Sequence, residues 1–270
     1  MSNSKIALVG VPYDERSSFA RGSSKAPPLI RLAWHSPSSN MYSENGTLVD
    51  DALVWDAGDV VFCSDEDALS AIEKKTDEVL EKGYRPIVLG GDHSVTYPVV
   101  KAFSKRHSDL SILHIDAHPD LYDVFEGDRL SHACPFARIL EDGLAKRLVQ
   151  VGIRTMVPHQ REQAKRFGVE VFDMKSWGRG KKLSFSGPVY LSLDIDALDP
   201  AFAPGVSHRE PGGLSTRQVI DIIQSFKGTV VGADIVEFNP LRDVPGMTDI
   251  VCAKLLKEIA ARMSGNRSEH

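Results

Sequence analysis

Short apolar runs alternate with amphipathic stretches along nearly the whole chain. The apolar runs predict strands at Ile6–Val11, Leu53–Trp55, Ile87–Leu89, Ile112–Ile115, Leu148–Gly152, Val169–Phe172, Val189–Leu193 and Val230–Ile235. Helical spacing predicts helices over Asp65–Lys82, Val95–Lys105, His132–Glu141, Pro158–Phe167, Ser215–Phe226 and Thr248–Met263. Asp65 and Ser215 serve as N-caps, and Gly83 and Gly143 as stops. A β-then-α alternation of this kind builds a mainly parallel sheet with helices on both faces. The pattern alone does not separate an open three-layer sheet from a closed barrel. Two stretches break it, both rich in turn formers: Asp14–Asn45 and Ala201–Gly213. Long irregular loops in a compact domain are usually functional, so both are expected to rim a site.

Length makes this one large α/β domain over residues 1–270, with Ser264–His270 as a frayed polar tail. There is no internal repeat. The formal charge of -5 and the lack of a long basic block speak against nucleic-acid binding as the main role. The N-terminus lacks the apolar core of a signal peptide, and no run is long and apolar enough to span a membrane. The expectation is a cytoplasmic protein that binds neither nucleic acid nor membrane. Cys63, Cys134 and Cys252 are few, scattered and odd in number, as reduced thiols are. Cys134 lies near the candidate site, but its neighbours give no reason to make it a nucleophile.

The chemistry concentrates where strands end. Asp116-Ala-His118-Pro-Asp120 follows one apolar run, Asp194-Ile-Asp196 another, and Gly90-Gly-Asp-His93-Ser94 a third. In parallel α/β sheets the C-terminal edge is where ligands bind. Residues two apart share a face of an extended chain, so these carboxylates converge if extension persists. Crowded carboxylates repel one another unless a cation neutralises them. Oxygen-rich ligation with one or two imidazoles and no thiolate suits manganese better than zinc, and the donors suffice for two ions. Two such ions, about 3.5–4 Å apart, share a bridging water and lower its pKa toward neutrality. The hydroxide then attacks an electrophilic carbon while an acid protonates the leaving group. His132, soon after the first acidic cluster, is the candidate acid. Glu237, after the last strand, is placed to pair with a planar cation. His208 lies in the second long loop, within reach of substrate, whereas His114 reads as buried packing and His35, His107, His159 and His270 as surface residues.

These fragments, with Ser192-Leu-Asp194-Ile-Asp196-Ala-Leu-Asp199-Pro200 and Glu237-Phe-Asn-Pro240, resemble the ureohydrolase family of arginases, agmatinases and related guanidino hydrolases. The resemblance runs from about Ile6 to the last helix. Tyr122-Asp-Val-Phe-Glu-Gly127, Ala201-Phe-Ala-Pro-Gly-Val-Ser-His208 and Arg161–Gly168 look most like plant-type arginases. The resemblance implies a three-layer α/β/α fold, two Mn2+ ions, and hydrolysis of a guanidinium to urea and an amine. By matching position it implies His93, Asp116, Asp120 and Asp194 on one ion, and Asp116, His118, Asp194 and Asp196 on the other. It further implies that Asp120 orients the bridging hydroxide, that His132 shuttles the proton, that Glu237 grips the guanidinium, and that the chain forms a homo-trimer or homo-hexamer.

Substrate choice is read from departures. Animal arginases resemble Gly-Leu-Arg-Asp-x-Asp-Pro after the fifth strand, whereas here the stretch is Gly152-Ile-Arg-Thr155-Met-Val157-Pro158, as in many agmatinases. Asp128 stands where plant-type arginases tend to have Asn, and a carboxylate there favours a cationic tail without a carboxylate. Arg129 and Arg209 near the rim argue the other way. The resulting expectation is agmatine, giving putrescine and urea, with arginine or another guanidino compound as the alternative. Two readings outside this class are a metal-binding relative without activity, which would lack a ligand, and a deacetylase-like amide hydrolase, which would carry a paired His-His.

Overall fold

The computed structural model describes residues 5–64, 67–178 and 181–265. Eight strands form one sheet: β1 Ile6–Gly10, β2 Val54–Asp59, β3 Arg85–Leu89, β4 Ser111–Ile115, β5 Arg147–Ile153, β6 Glu170–Asp173, β7 Ser184–Asp194 and β8 Lys227–Val236. Their order is β2-β1-β3-β8-β7-β4-β5-β6, and every pairing is parallel. The sheet is open, which decides against a barrel. Each predicted strand is present, with ends moved by a few residues.

Alternation along the central strands sorts side chains into two cores. Ile6, Leu8, Leu113 and Leu191 face helices α1 Ala26–Trp34, α6 Thr216–Ser225 and α7 Thr248–Ser264. Ala7, Val9, Ile112 and Tyr190 face α2 Ala68–Glu81, α3 Thr96–Ser104, α4 Pro135–Glu141 and α5 Pro158–Phe167. A strand buried on both faces reads as a near-continuous apolar run, which is why the pattern was legible.

Three differences from expectation have physical causes. Helix α1 lies inside the stretch expected to be irregular. Pro27 and Pro28 look like breakers, but they sit in its first turn, where a missing N–H costs nothing. The helix expected from His132 begins only at Pro135, leaving His132 on the preceding turn. Helix α2 starts from Asp67, whose carboxylate accepts from Ser70 N at 3.1 Å, while the expected cap Asp65 lies outside the described residues. Ser215 caps α6 as expected. The tail beyond residue 265 also lies outside them.

Candidate metal centre and active site

The four central strands each deliver part of the site from their C-terminal ends. β3 leads into Gly90–His93. Gly91 is required there, because a Cβ would stand 1.8 Å from the Tyr13 carbonyl oxygen. That close approach lets Asp92 N donate to Tyr13 O at 3.0 Å and Glu237 N donate to Gly91 O at 2.8 Å. The ends of β1, β3 and β8 are thereby joined.

The carboxylates converge by tight turns, not by continued extension. Asp120 has a φ of 47° and Glu237 a φ of 64°, both left-handed, a costly conformation for side-chain-bearing residues. Asp194 caps a short 3-10 turn over Ile195–Ala197 and accepts from Asp196 N at 2.7 Å. Arg154, after β5, holds this turn through its guanidinium, which donates to the carbonyls of Asp196 (2.6 Å), Glu210 (2.7 Å) and Ala197 (3.1 Å).

His93 Nδ1 lies 3.1 Å from Asp120 Oδ2, 3.1 Å from Asp194 Oδ2 and 3.3 Å from Asp116 Oδ2. It makes no hydrogen bond of good geometry to any of them. His118 Nδ1 lies 3.1 Å from Asp196 Oδ2 and 3.6 Å from Asp116 Oδ1. Asp116 therefore turns one oxygen to each imidazole. The ligand atoms of Asp116, His118 and Asp196 come within 4.8 Å of one another, as do those of His93, His114 and Asp116.

Hydrogen bonds separate inner donors from outer ones. Gln150 Nε2 donates to His114 Nδ1 at 3.0 Å, so His114 Nε2 carries its proton toward Asp116 Oδ2 at 2.6 Å. His114 thus orients Asp116 from behind. Ser192 Oγ donates to Asp234 Oδ1 at 2.7 Å and so accepts from His93 Nε2 at 3.0 Å. This leaves the His93 Nδ1 lone pair facing the carboxylates. Strand register explains the row: Gln150 pairs with His114, His114 with Ser192, and Ser192 with Asp234. All four are buried beneath the site.

The electrostatics call for positive charge. Burial opposes charge on His93, yet the carboxylates of Asp116, Asp120 and Asp194 raise its pKa well above the ordinary value. Burial, then the charges of Asp196 and Asp116, push Asp194 well above the usual carboxylate range. A divalent cation among these groups replaces the proton and relieves the repulsion. Oxygen-rich donors with single imidazoles fit hard divalent ions. These residues form a paired His/Asp metal-binding cluster.

Beside the cluster is a cavity of about 150 Å³ lined by His118, Asp120, Asp194, Asp196, His132 and Glu237, among others. His132 Nδ1 donates to Glu237 Oε1 at 3.1 Å. Burial lowers the His132 pKa, but the Glu237 hydrogen bond and charge prevail and bring it to about 9. Glu237 Oε1 also accepts from His93 N at 2.9 Å, leaving Oε2 without a partner among the described residues. His208 stacks on His132, with ring centroids 5.4 Å apart, and its buried Nε2 is unpartnered.

Not every expected residue reaches the cavity. Asp128 is paired with Arg16 at 2.7 Å and does not line it. Arg209 spends its guanidinium on the carbonyls of Pro204 (2.9 Å) and Arg242 (2.5 Å), and Arg129 pairs with Asp123 and Glu141. Burial pushes the Cys134 thiol to about 12, an inert state. Sequence reasoning missed Ser18, Tyr122, Phe125 and Gln160 as lining residues, and gave no function to Ser192 or Asp234. Only the placement of Ser18 in a long loop hinted at its position.

A family model described as the arginase family matches residues 4–261. The chain is 47% identical to the mitochondrial arginase 1 of Arabidopsis thaliana over 282 residues, covering 97% of this chain and 82% of that protein. It is 36% identical to a chicken mitochondrial agmatinase over 275 residues, covering 96% and 81%. The structure of arginase from Medicago truncatula superposes with a TM-score of 0.92 at 45% identity, covering 97% of this chain and 88% of that one. Matched by the family model over nearly its whole length and sharing the fold, the chain belongs to the arginase family of ureohydrolases and is an amidinohydrolase of that type.

Proposed function

We propose that the chain hydrolyses arginine to ornithine and urea, using two manganese ions. The observation carrying this choice over agmatine is the Arg16–Asp128 ion pair at 2.7 Å. The Asp128 carboxylate is one of the two sequence departures that favour agmatine, beside Gly152-Ile-Arg-Thr155. Arg16 neutralises it, and it lies outside the cavity lining. The cavity is also lined by neutral Tyr122, Thr155 and Gln160, whose side chains can donate to a carboxylate. The names of the plant relatives, at 44–48% identity, support the same reading over the agmatinase at 36%.

His93, Asp116, Asp120 and Asp194 would hold one ion, and Asp116, His118, Asp194 and Asp196 the other. When bound, the ions supply charge neutralisation and make water acidic enough to attack at neutral pH. Asp120 accepts a hydrogen bond from the attacking water and aims it. Glu237 receives the guanidinium through Oε2, since Oε1 already accepts from His93 N and His132 Nδ1. His132, held cationic by Glu237, is the source of the proton that the departing amine takes. His208 closes the wall above His132.

Urea release from arginine, agmatine and 4-guanidinobutyrate, with and without manganese, is the test. Arginine is expected to show the highest kcat/KM and to require the metal. A higher kcat/KM for agmatine refutes the substrate choice. We also propose a single domain in the cytoplasm, from the sequence pattern, and a homo-trimer or homo-hexamer, as the family resemblance implies. Among the described residues no helix is long and apolar enough to cross a membrane. Light scattering and cell fractionation decide the assembly and the compartment.

A further inference from the structure

Both ring nitrogens of His132 are engaged. Nδ1 faces Glu237 Oε1 at 3.1 Å, and Nε2 faces Ser18 Oγ at 2.8 Å. A carboxylate only accepts, so Nδ1 keeps its proton. The proton that His132 exchanges is therefore the one on Nε2, and it points at Ser18. Ser18 itself lines the cavity. We propose that the Ser18 hydroxyl relays the proton between His132 Nε2 and the leaving nitrogen of the substrate.

The loop after β1 is built to hold Ser18 there. Asp14 closes it by accepting from Gly22 N at 2.6 Å and Ser24 N at 3.2 Å. Arg16 N donates to Asp92 Oδ2 at 2.9 Å, and Arg16 O accepts from His132 N at 3.2 Å. Asn239 Nδ2 donates to Ala20 O at 2.6 Å from beyond β8. Gly22 permits that approach, since a Cβ there would lie 2.3 Å from Asn239 Oδ1. The loop is thus tied to the ends of β3 and β8 and to His132 itself.

A hydroxyl suits the position because it accepts and donates at once. When His132 is cationic, Nε2–H donates to Ser18 Oγ. As the C–N bond of the substrate breaks, its electron pair stays on the leaving nitrogen. The Ser18 O–H bond breaks and an N–H bond forms on that nitrogen. The Nε2–H bond breaks and its proton restores the Ser18 hydroxyl. Neutral His132 then accepts from Ser18 O–H, and takes a proton from solvent water before the next turnover. Every atom and charge balances with solvent water as the only further reactant.

The proposal rests on the amidinohydrolase reading and does not depend on which guanidino compound is preferred. The test compares Ser18→Ala and Ser18→Thr in the manganese-loaded enzyme, using whichever guanidino substrate gives the wild type most urea. Ser18→Ala is expected to lose about 10²-fold in kcat with KM nearly unchanged, the scale of one acid–base contribution. Ser18→Thr, which keeps a hydroxyl, should recover most of it. A second readout needs no activity: diethylpyrocarbonate modification of His132, mapped by mass spectrometry. Freeing Nε2 in Ser18→Ala should speed that modification severalfold, and Ser18→Thr should not. Wild-type kcat in Ser18→Ala overturns the relay. So does loss of activity in both variants with reduced metal content, which marks a purely structural role. An unchanged modification rate in Ser18→Ala overturns the hydrogen bond itself. Failure of arginine as substrate leaves all three comparisons standing.

Discussion

Replacing Ser192 with Ala should weaken metal binding without touching a ligand. The hydroxyl lies under the site, fully buried, between His93 Nε2 at 3.0 Å and Asp234 Oδ1 at 2.7 Å. Its removal leaves the buried His93 N–H without an acceptor, at a cost of about 1–3 kcal/mol. Asp234 loses one donor but keeps Tyr190 OH at 2.8 Å, Thr96 Oγ1 at 2.8 Å and Leu193 N at 3.3 Å. The lost bond to the carboxylate adds about 1 kcal/mol, so the total is about 2–4 kcal/mol. Loss of such an outer partner typically costs about 10–100-fold in metal affinity, because the imidazole loses its fixed tautomer and orientation. Urea denaturation of the metal-free protein measures the first quantity, and manganese titration the second. A variant within about 0.5 kcal/mol of wild type, with unchanged affinity, would refute the claim that this row of polar side chains aims His93.

Three further outcomes are expected. His132→Asn should reduce kcat by about 10²–10⁴-fold while bound metal, measured by mass spectrometry, stays at the wild-type level. Arg154→Leu should cost about 2–4 kcal/mol in chemical denaturation and loosen metal binding, because two charge-assisted bonds to the turn bearing Asp196 and one to the Glu210 carbonyl disappear. In chelated protein, the His132–Glu237 pair should make stability fall with rising pH. The His132 pKa is raised from 6.5 to about 9, so the contribution is full below the first value and lost as pH passes the second. Its ceiling is about 3 kcal/mol, and equal pH slopes in wild type and His132→Asn would contradict it.

Much of the architecture was legible because β1, β3, β4, β7 and β8 are buried on both faces and write themselves as apolar runs. The acids at their ends could be picked out for the same reason, since a cluster of Asp and His abruptly follows Val, Ile and Leu. Helix α1 was hidden by two prolines whose placement in a first turn depends on where the helix starts. Edge strand β2 was trimmed because its side chains are mostly exposed and carry no apolar alternation.

The chain by itself determined which residues can ligate metal and that they lie at strand ends, because residue type and hydrophobic period are local properties. Tertiary structure alone decided which of these side chains meet, since that depends on strand order and on the left-handed turns at Asp120 and Glu237. It also decided that Asp128 is neutralised by Arg16, 112 residues away, and that Ser18 meets His132 across 114. No period or motif records a contact between loops so far apart. Such contacts exist only once the parallel sheet has brought its C-terminal ends to one edge.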